Sequence, residues 1–585
     1  MIDKSIVRDH LNQRRVGMNN PSSHSRLVSL TVALLFALVA QEMRSQPPAQ
    51  NAAGISFENR QPRSGVDFVL NNGTTFDKTI IDGIPGGVAL LDYDNDGFLD
   101  IFFTNGARIP SLSKEGPGFY NRLYRNNHDG TFTDVTEKAG LSGTGYSIGV
   151  AAADFDNDGW TDLYVTGVNH NILYRNNHDG TFTDVTEKAS VSGVNSAGKK
   201  LLSVSAAWID YDNDGLLDLF VTNYLDWSPE TSKVCGLPEK RLSCPPSLYP
   251  GEPNILYHNN GDGTFTDVSE STGIADHIGK AMGVAVADYD ADGWMDIFVA
   301  NDNQRNFLFK NRRGKGFDEV GVEAGVAYTD DGIPVSSMGV DFRDYRNDGR
   351  PGIFITALGG ETFPLYRNEG NDLFTMDTYP ANIGFPTYKM SGWGTGIVDF
   401  NNDGYKDLFS ANSHVSENAD IDPQQHYLQT NAIFENMKNN TFQDVSAHAG
   451  PGLSLRAAHR GAAFGDLNTD GKIDVVVSVI AGHAELLYNT TANGNHWLLI
   501  QTIGTKSNRD GIGTQIKLTS HSGSAQFNQV TTAGSYASSS DKRVHFGLGR
   551  DKLIKEITLR WPSGTVQTLH NVKADQILRV TEGAM

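Results

Sequence analysis

Cysteine is nearly absent from this chain. Cys235 and Cys244 are the only two in 585 residues, so at most one disulfide can form. Both fall in one stretch, 225–253, rich in Pro, Ser and Gly, with no His close enough to make a metal pair. A local disulfide fits an exported chain; two free thiols are the alternative. Basic residues are also short, 48 Lys and Arg against 69 Asp and Glu, for a formal charge of −21. That balance excludes the basic footprint that nucleic-acid binding requires. Long apolar runs are missing. Val28–Ala40 (VSLTVALLFALVA) has 13 residues, too few to cross a bilayer and suited to the apolar core of a secretory signal. Residues 1–45 therefore read as a signal region, with Met18 as an alternative start and Ala40 as a cleavage point; a short membrane anchor is the competing reading. No later segment approaches membrane length, so the expected mature protein is soluble and secreted, periplasmic or held at the cell surface. Catalytic signatures are lacking as well: no H-E-x-x-H, G-x-S-x-G or C-x-x-C occurs, and the 16 His are scattered. No R-G-D occurs, and RDG at 509–511 is not equivalent. His459, Arg460, His414, Arg122, Arg305 and Arg367 lie near expected strand ends, where packing is the weightier reading and a ligand-facing role the sharper one.

What the chain has in excess is one aspartate-rich loop, D-x-[DN]-x-D-G-x-x-D, repeated in a frame. The intact copies place candidate ligands at Asp92, Asp94, Asp96 and Asp100; at Asp154, Asp156, Asp158 and Asp162; at Asp210, Asp212, Asp214 and Asp218; and at Asp288, Asp290, Asp292 and Asp296. Two further copies carry Asn at the third position: Asp399, Asn401, Asp403 and Asp407, then Asp466, Asn468, Asp470 and Asp474. Side chains at positions 1, 3 and 5 converge, Gly at position 6 permits a sharp turn, and the position-7 carbonyl and last Asp complete a shell of hard oxygens. Ca²⁺ takes such a shell. An EF-hand loop begins similarly but closes with Glu at position 12 between two helices; here Asp closes at position 9 and both flanks are β-like, as in GVAVADY and MDIFVA around the fourth loop. The expectation is about six Ca²⁺ sites, each clipping the turn of a β-hairpin. A turn held only by side-chain to backbone hydrogen bonds is the bland alternative. The copy at 344–352, DYRNDGRPG, has Arg346 at position 3 and Gly352 at position 9; it should be folded and metal-free, with Arg346 bridging Asp344 and Asp348.

The six intact loops hold 22 of the Asp residues, so most of the acidity is ligand charge. After each loop comes a second element, clearest as NRLYRNNHDGTFTDVTEKAG, NILYRNNHDGTFTDVTEKAS and NILYHNNGDGTFTDVSESTG. It reads as two short strands about a Gly or Asn turn, in which the HDGTF Asp serves the turn. One unit is thus a metal-clipped hairpin and a plain hairpin, four strands. Seven such units make seven β-propeller blades. The last unit lacks its fourth strand, and Ile55–Glu58 in GISFENRQ resembles the missing piece, so the two ends should lock the ring. An open row of hairpins would leave edges prone to pairing.

These repeats resemble the FG-GAP or VCBS repeats of integrin α-subunit propellers. Downstream, GTKSNRDGIGTQIKL, GSYASSSDKRVHFGLG and ITLRWPSGTVQTLHNV resemble the ASPIC/UnbV domain, and a propeller followed by that domain is the layout of the cartilage acidic protein family and its bacterial relatives. The expected fold is all-β: a seven-bladed propeller over 52–491 and a small β-sandwich or barrel over 495–583 with at least six strands. Arg509, Asp510 and Arg560 are its notable polar residues, expected in a buried ion pair, with ligand contact as the alternative. The functional expectation is a secreted, Ca²⁺-stabilised binding or adhesion module for an extracellular protein or glycan, without catalytic residues or an organic cofactor. The alternatives are a polysaccharide lyase or hydrolase working in the propeller's central depression, and an assembly factor that docks through the second domain.

Overall fold

The computed structural model describes residues 54–421 and 424–584; the apolar run 28–40 and the Met18 start lie outside them. Among the described residues no helix is long and apolar enough to cross a membrane. Seven four-stranded antiparallel sheets follow one another along the chain. In the first, Val88–Leu91, Asp100–Phe103, Arg122–Asn126 and Phe132–Asp134 lie in order from the inside outward. The first strands of successive sheets touch in sequence, and that of the seventh, His459–Gly465, touches that of the first. The result is a closed β-propeller. Closure is sealed as expected, with Phe57–Asn59 pairing antiparallel to Glu485–Asn489 as the outer strand of the seventh sheet.

Burial explains the sequence pattern of each blade. First and second strands are covered on both faces by neighbouring blades and are buried throughout, as in Ser147–Ala153 and Asp162–Gly167. They accordingly read as unbroken apolar runs. The outer strand Phe182–Asp184 buries only its Phe. Five residues before each loop stands Gly87, Gly149, Gly283, Gly339, Gly394 or Gly461, with Ser205 in the third blade. Here the inner strands crowd the axis: a Cβ on Gly149 would lie 2.1 Å from the Val204 carbonyl, and one on Gly461 2.3 Å from that of Gly86. The Asn ending each third strand joins its blade to the one before. Asn176 Nδ2 donates to Tyr93 O (2.8 Å), Asn311 to Tyr211 O (2.8 Å), and Asn126 across the closure to Leu467 O (3.0 Å).

The second domain is a sandwich of seven strands. One sheet orders Val544–Gly549, His496–Ile503 and Gln576–Thr581; the other orders Ala525–Gln529, Gln515–Ser520, Leu553–Arg560 and Val566–Lys573. Ile516, Leu518, Phe546, Ile557 and Trp561 fill the space between them, in one core with Trp208 and Leu219 of the third blade. The described residues accordingly form one compact unit.

A segment of this domain fills the propeller channel. The first strand of every blade has a free inner edge, whose peptide groups need partners. Ser535 exchanges backbone hydrogen bonds with Val340 (2.7 and 3.1 Å), Val150 N donates to Ala537 O (3.0 Å), and Leu90 N to Ser539 O (3.0 Å). Hydroxyls supply the rest: Ser535 Oγ donates to Ala462 O (2.7 Å) and accepts from Thr395 N (3.1 Å), and Ser205 Oγ accepts from Ala537 N (3.1 Å). At the tip, Tyr536 is fully buried, its ring edge-on to Trp393 at 5.0 Å and its hydroxyl donating to Ile84 O at 2.7 Å. Trp227, Cys244 and Tyr249 of the 225–253 stretch belong to the same apolar cluster. That stretch carries the Cys235–Cys244 disulfide.

Candidate metal loops and the second-domain socket

All seven Asp loops share one backbone. Position 4 lies in the left-handed region in every copy, from Asn95 (φ 56°) to Thr469 (φ 56°), and position 6 is Gly with φ between 79° and 94°. Asn tolerates that conformation better than most residues, which explains the recurring D-x-D-N-D-G. In the first loop Asp92 accepts from Asp96 N (3.0 Å) and Gly97 N (2.9 Å), while Asp96 accepts from Phe98 N (3.0 Å). The last Asp is a clasp: Asp100 accepts from Tyr93 N (3.2 Å) and from Asn126 N on the third strand (2.8 Å). The same pair of bonds recurs at Asp162, Asp218, Asp296, Asp407 and Asp474. Gly352 cannot make it.

In loops one to four, three carboxylate oxygens gather within 4.8 Å of one another: Asp92, Asp94 and Asp96; Asp154, Asp156 and Asp162; Asp210, Asp212 and Asp218; Asp288, Asp290 and Asp296. Burial followed by repulsion from Asp218, Asp214 and Asp212 pushes Asp210 up to about 8. Burial, then Asp510, pushes Asp154 to about 7, and burial alone dominates at Asp288, raised to about 6. Such a cluster needs protons or a cation. One oxygen each of Asp94, Asp156 and Asp212 is buried without any hydrogen-bond donor, a costly state that a cation between the acids would relieve. An all-oxygen donor set suits a hard divalent ion. Loops six and seven keep the frame with the Asn401 or Asn468 amide in the third corner; Asp399 is raised to about 7 and Asp466 to about 6, mainly by burial. Loop five does not fit a metal. Its Arg346 lies 3.3 Å from Asp348 but does not bridge to the Asp344 carboxylate, which is already taken by the backbone N–H groups of Arg346, Asn347 and Gly349. That corrects the expected bridge between both acids.

In five blades the third strand answers its loop with one side chain that the spacing of acids did not reveal; Arg367 in blade five and Tyr488 in blade seven do not. Arg125 reaches Asp94 (2.9 Å), Arg175 reaches Asp158 (2.8 Å), and Lys310 reaches Asp290 (3.0 Å). His258 lies 3.2 Å from Asp218, and the nearness of that carboxylate raises it to about 9. Where Asn401 replaces the acid, Glu435 replaces the base and accepts from its amide (3.0 Å). Such residues stand at a fixed offset, directly before the third-strand Asn, and were legible there.

The loops are also the seat of the second domain. Asp510 accepts from Asp154 N (2.9 Å) and pairs with Lys542. Arg509 is exposed and donates its backbone N–H to Asn157 (2.7 Å), and Arg560 has no ion partner among the described residues. The buried ion pair expected of Arg509, Asp510 and Arg560 forms at Asp510 alone, with Lys542 as its cation, and the two arginines take no part in it. Gln515 donates to Asp288, Asn495 to Asn401 O (2.9 Å), and Arg543 to Gly97 O (3.4 Å). Trp497 covers Gly471, and Gly547 abuts Asp399.

The other candidates are structural. His459 is buried between Asn412 O (3.0 Å) and Glu485 (3.0 Å), and Arg460 stacks on Trp393 at 4.1 Å. His414 accepts from Ser416 N (3.0 Å). Arg122, Arg305 and Arg367 pair with Asp134, Glu319 and Glu369. Asp129 does serve its turn, accepting from Thr131 N (2.9 Å) and Oγ1 (2.6 Å).

Among known proteins, cartilage acidic protein 1 of Homo sapiens is 23% identical over 518 residues, covering 85% of this chain and 71% of that protein. The Xenopus tropicalis protein of the same name is 24% identical over 377 residues; the match spans 55% of this chain and only 56% of that one. Solved structures are more distant: YCF48 bound to D1 peptide (TM-score 0.40, 7% identity, 76% of this chain and 99% of that one) and an Agrocybe aegerita lectin (0.38, 16%, 62% and 79%). At those scores they bear on no ligand. The FG-GAP-like repeat family matches at 92–165, 154–221, 247–299, 288–355 and 399–477, together more than half of the chain, and ASPIC and UnbV at 504–585. The chain therefore belongs to the FG-GAP-like repeat family and carries an ASPIC/UnbV domain after its repeats.

Proposed function

We propose that this protein is an extracellular, calcium-stabilised binding module for a glycan or protein ligand, in which propeller and second domain make one rigid scaffold. The observation that carries this reading is the packed channel. A catalytic propeller would need a depression at its axis lined by converging titratable groups; here Tyr536 and its neighbours occupy that axis. The lyase or hydrolase alternative loses its site, and an assembly factor docking through the second domain finds the loop-facing side of that domain already engaged. Calcium is favoured over magnesium by the number and flexibility of the oxygens, with six expected sites at the intact loops. When bound it would neutralise each acid cluster, and the chain's own residues would hold the turn, clasp the third strand and seat the second domain. The module should lie outside the cytosol, where calcium is millimolar and a disulfide persists. The test is metal stoichiometry by calorimetry on the chelated protein, followed by a glycan array and pull-down in calcium. A count near six with a ligand found supports the reading. A count near zero, or no ligand of either kind, overturns it.

A further inference from the structure

The ring of loops is chained. The position-4 Asn of one loop donates to the position-6 Gly carbonyl of the next: Asn95 to Gly159 O (3.0 Å), Asn157 to Gly215 O (3.0 Å), Asn213 to Gly293 O (3.1 Å), Asn347 to Gly404 O (2.7 Å) and Asn402 to Gly471 O (3.0 Å). Between loops seven and one, where Thr469 stands at position 4, Arg543 reaches Gly97 O instead. Between loops four and five the link is missing, because Ala291 has no amide. There a cleft of about 300 Å³ opens, walled by Ala291, Gly349 and Pro351 on the propeller side. This size and place, between two domains, are those of a small-ligand site.

The far wall is a face of the second domain. Gln515 pairs with Arg560 and Lys517 with Thr558 across adjacent antiparallel strands, so Lys517 and Arg560 are diagonal neighbours on one face. Neither has a carboxylate partner among the described residues, although the chain as a whole carries −21. Lys517 lies over the Phe527 ring at 5.5 Å, which holds its ammonium at the mouth. At the floor, Arg343 pairs with Asp341 (3.2 Å) and also donates to Asn528 (3.2 Å). Asp288 and Asp344 also line the cleft at the loops, where backbone N–H groups and Gln515 occupy their oxygens; away from them the cleft offers two cations without carboxylate partners, one of them a planar fork suited to a carboxylate, beside amides and one aromatic ring.

We propose that this cleft is the ligand site of the module and that it takes a uronic-acid-bearing oligosaccharide. The carboxylate sits between Arg560 and Lys517, and sugar hydroxyls meet the Asn528 and Gln515 amides. Peptide recognition would use an open sheet edge or an apolar groove; this cleft presents a sheet face, polar throughout except for Phe527, Ile516 and the loop wall. The inference rests on the binding-module reading and narrows it to one site.

The test is calorimetry with the full-length protein in calcium, using a galacturonate oligomer, a neutral glucose oligomer of equal length and a polyglutamate peptide. The galacturonate oligomer should bind, with affinity falling as salt rises. Lys517→Gln and Arg560→Gln should each weaken it about tenfold, both at unchanged melting temperature. Ala291→Asn should restore the missing link to Gly349, narrow the cleft and reduce binding at least as much. Uronate binding unaltered in the double Gln variant would overturn the site. Tighter binding of polyglutamate than of galacturonate would overturn the sugar and leave a protein ligand. A different ligand from the array, bound equally by wild type and the double variant, would sink the cleft while sparing the module.

Discussion

Replacing Tyr536 by Ala should destabilise the propeller and the second domain together. Tyr536 is the largest side chain of the channel segment and is fully buried. Truncating a buried aromatic to Ala costs about 3–5 kcal/mol through lost transfer energy and the cavity left behind. The Ile84 carbonyl, which accepts the phenol at 2.7 Å, would lose its donor in a dry site, adding about 1–3 kcal/mol. A total near 5 kcal/mol is comparable to the whole stability of many domains. Tyr536→Phe keeps the ring against Trp393 and should cost only about 1–2 kcal/mol, chiefly for the unpaired carbonyl. Guanidinium unfolding in calcium gives the totals, and hydrogen exchange gives the location. Ser203–Ile209 of the third blade and Val544–Gly549 of the second domain should lose protection in parallel in the Ala variant. If the second domain loosens while the blade stays protected, the two are separate folding units. If neither changes, the channel segment is an ornament and the packing argument fails.

Chelation should reverse the pH dependence of stability. Without metal, Asp210 at about 8, Asp399 at about 7 and Asp288 at about 6 lie above the ordinary 3.8. The folded state then binds more protons than the unfolded one, so stability falls as pH rises from about 4 to 8. With calcium the acids are ionised in the fold and proton competition fades over the same window. The melting-temperature gap between calcium and chelator should therefore widen with pH; a constant gap would refute metal binding at these acids. Asp290→Ala with Asp292→Ala should remove one ion from the stoichiometry, whereas Asp348→Ala in loop five should remove none; a lost ion in the latter would show that loop five binds metal. Gly547→Ala places a Cβ 2.0 Å from Asp399 Oδ2 and should cost about 1–3 kcal/mol or more. Gly118→Ala, with nothing within 4 Å, serves as the neutral control in thermal unfolding.

Features whose cause is local were legible in the sequence, as was the closing strand near Ile55–Glu58, whereas contacts between blades and with the second domain were not. Acid spacing, Gly at position 6 and the LYxN-turn-TFTD hairpin describe single blades, and each blade matched. The partner of Asn126 lies 341 residues away at Leu467, and nothing in its own hairpin marks that contact. The Gly five residues before each loop was a visible signal, because a residue without Cβ at a fixed offset in an apolar strand marks a close approach. The channel-filling role of the stretch GSYASSSDKR was not legible, for a physical reason. Small and hydroxylic residues usually mark an exposed turn, but seven free strand edges converging on an axis leave room only for small side chains and need hydroxyls as partners. Tyr536, alone among them in size, was the clue. Arg509 failed as an ion-pair candidate because exposure at the interface is set by docking, which local sequence does not encode.

Under the proposed calcium reading, metal binding and domain docking reinforce each other. Docking takes water from Asp154, Asp288 and Asp399, and a less polar surrounding strengthens their attraction for a dication. It also places backbone donors and the Asp510–Lys542 pair against loop two, which fixes the acids where a cation would meet them. Whatever factor the seated domain adds to calcium affinity, calcium must add to the seating, since coupling between two binding events is reciprocal. A mutation at the channel tip, such as Tyr536→Ala, should therefore weaken calcium affinity at loops it does not touch, and loop two, whose Asp154 N–H is held by Asp510, should be affected more than loop one. Equal affinity at all loops in wild type and variant would mean that the acids are set by their own turns alone, and that the second domain merely rests on them.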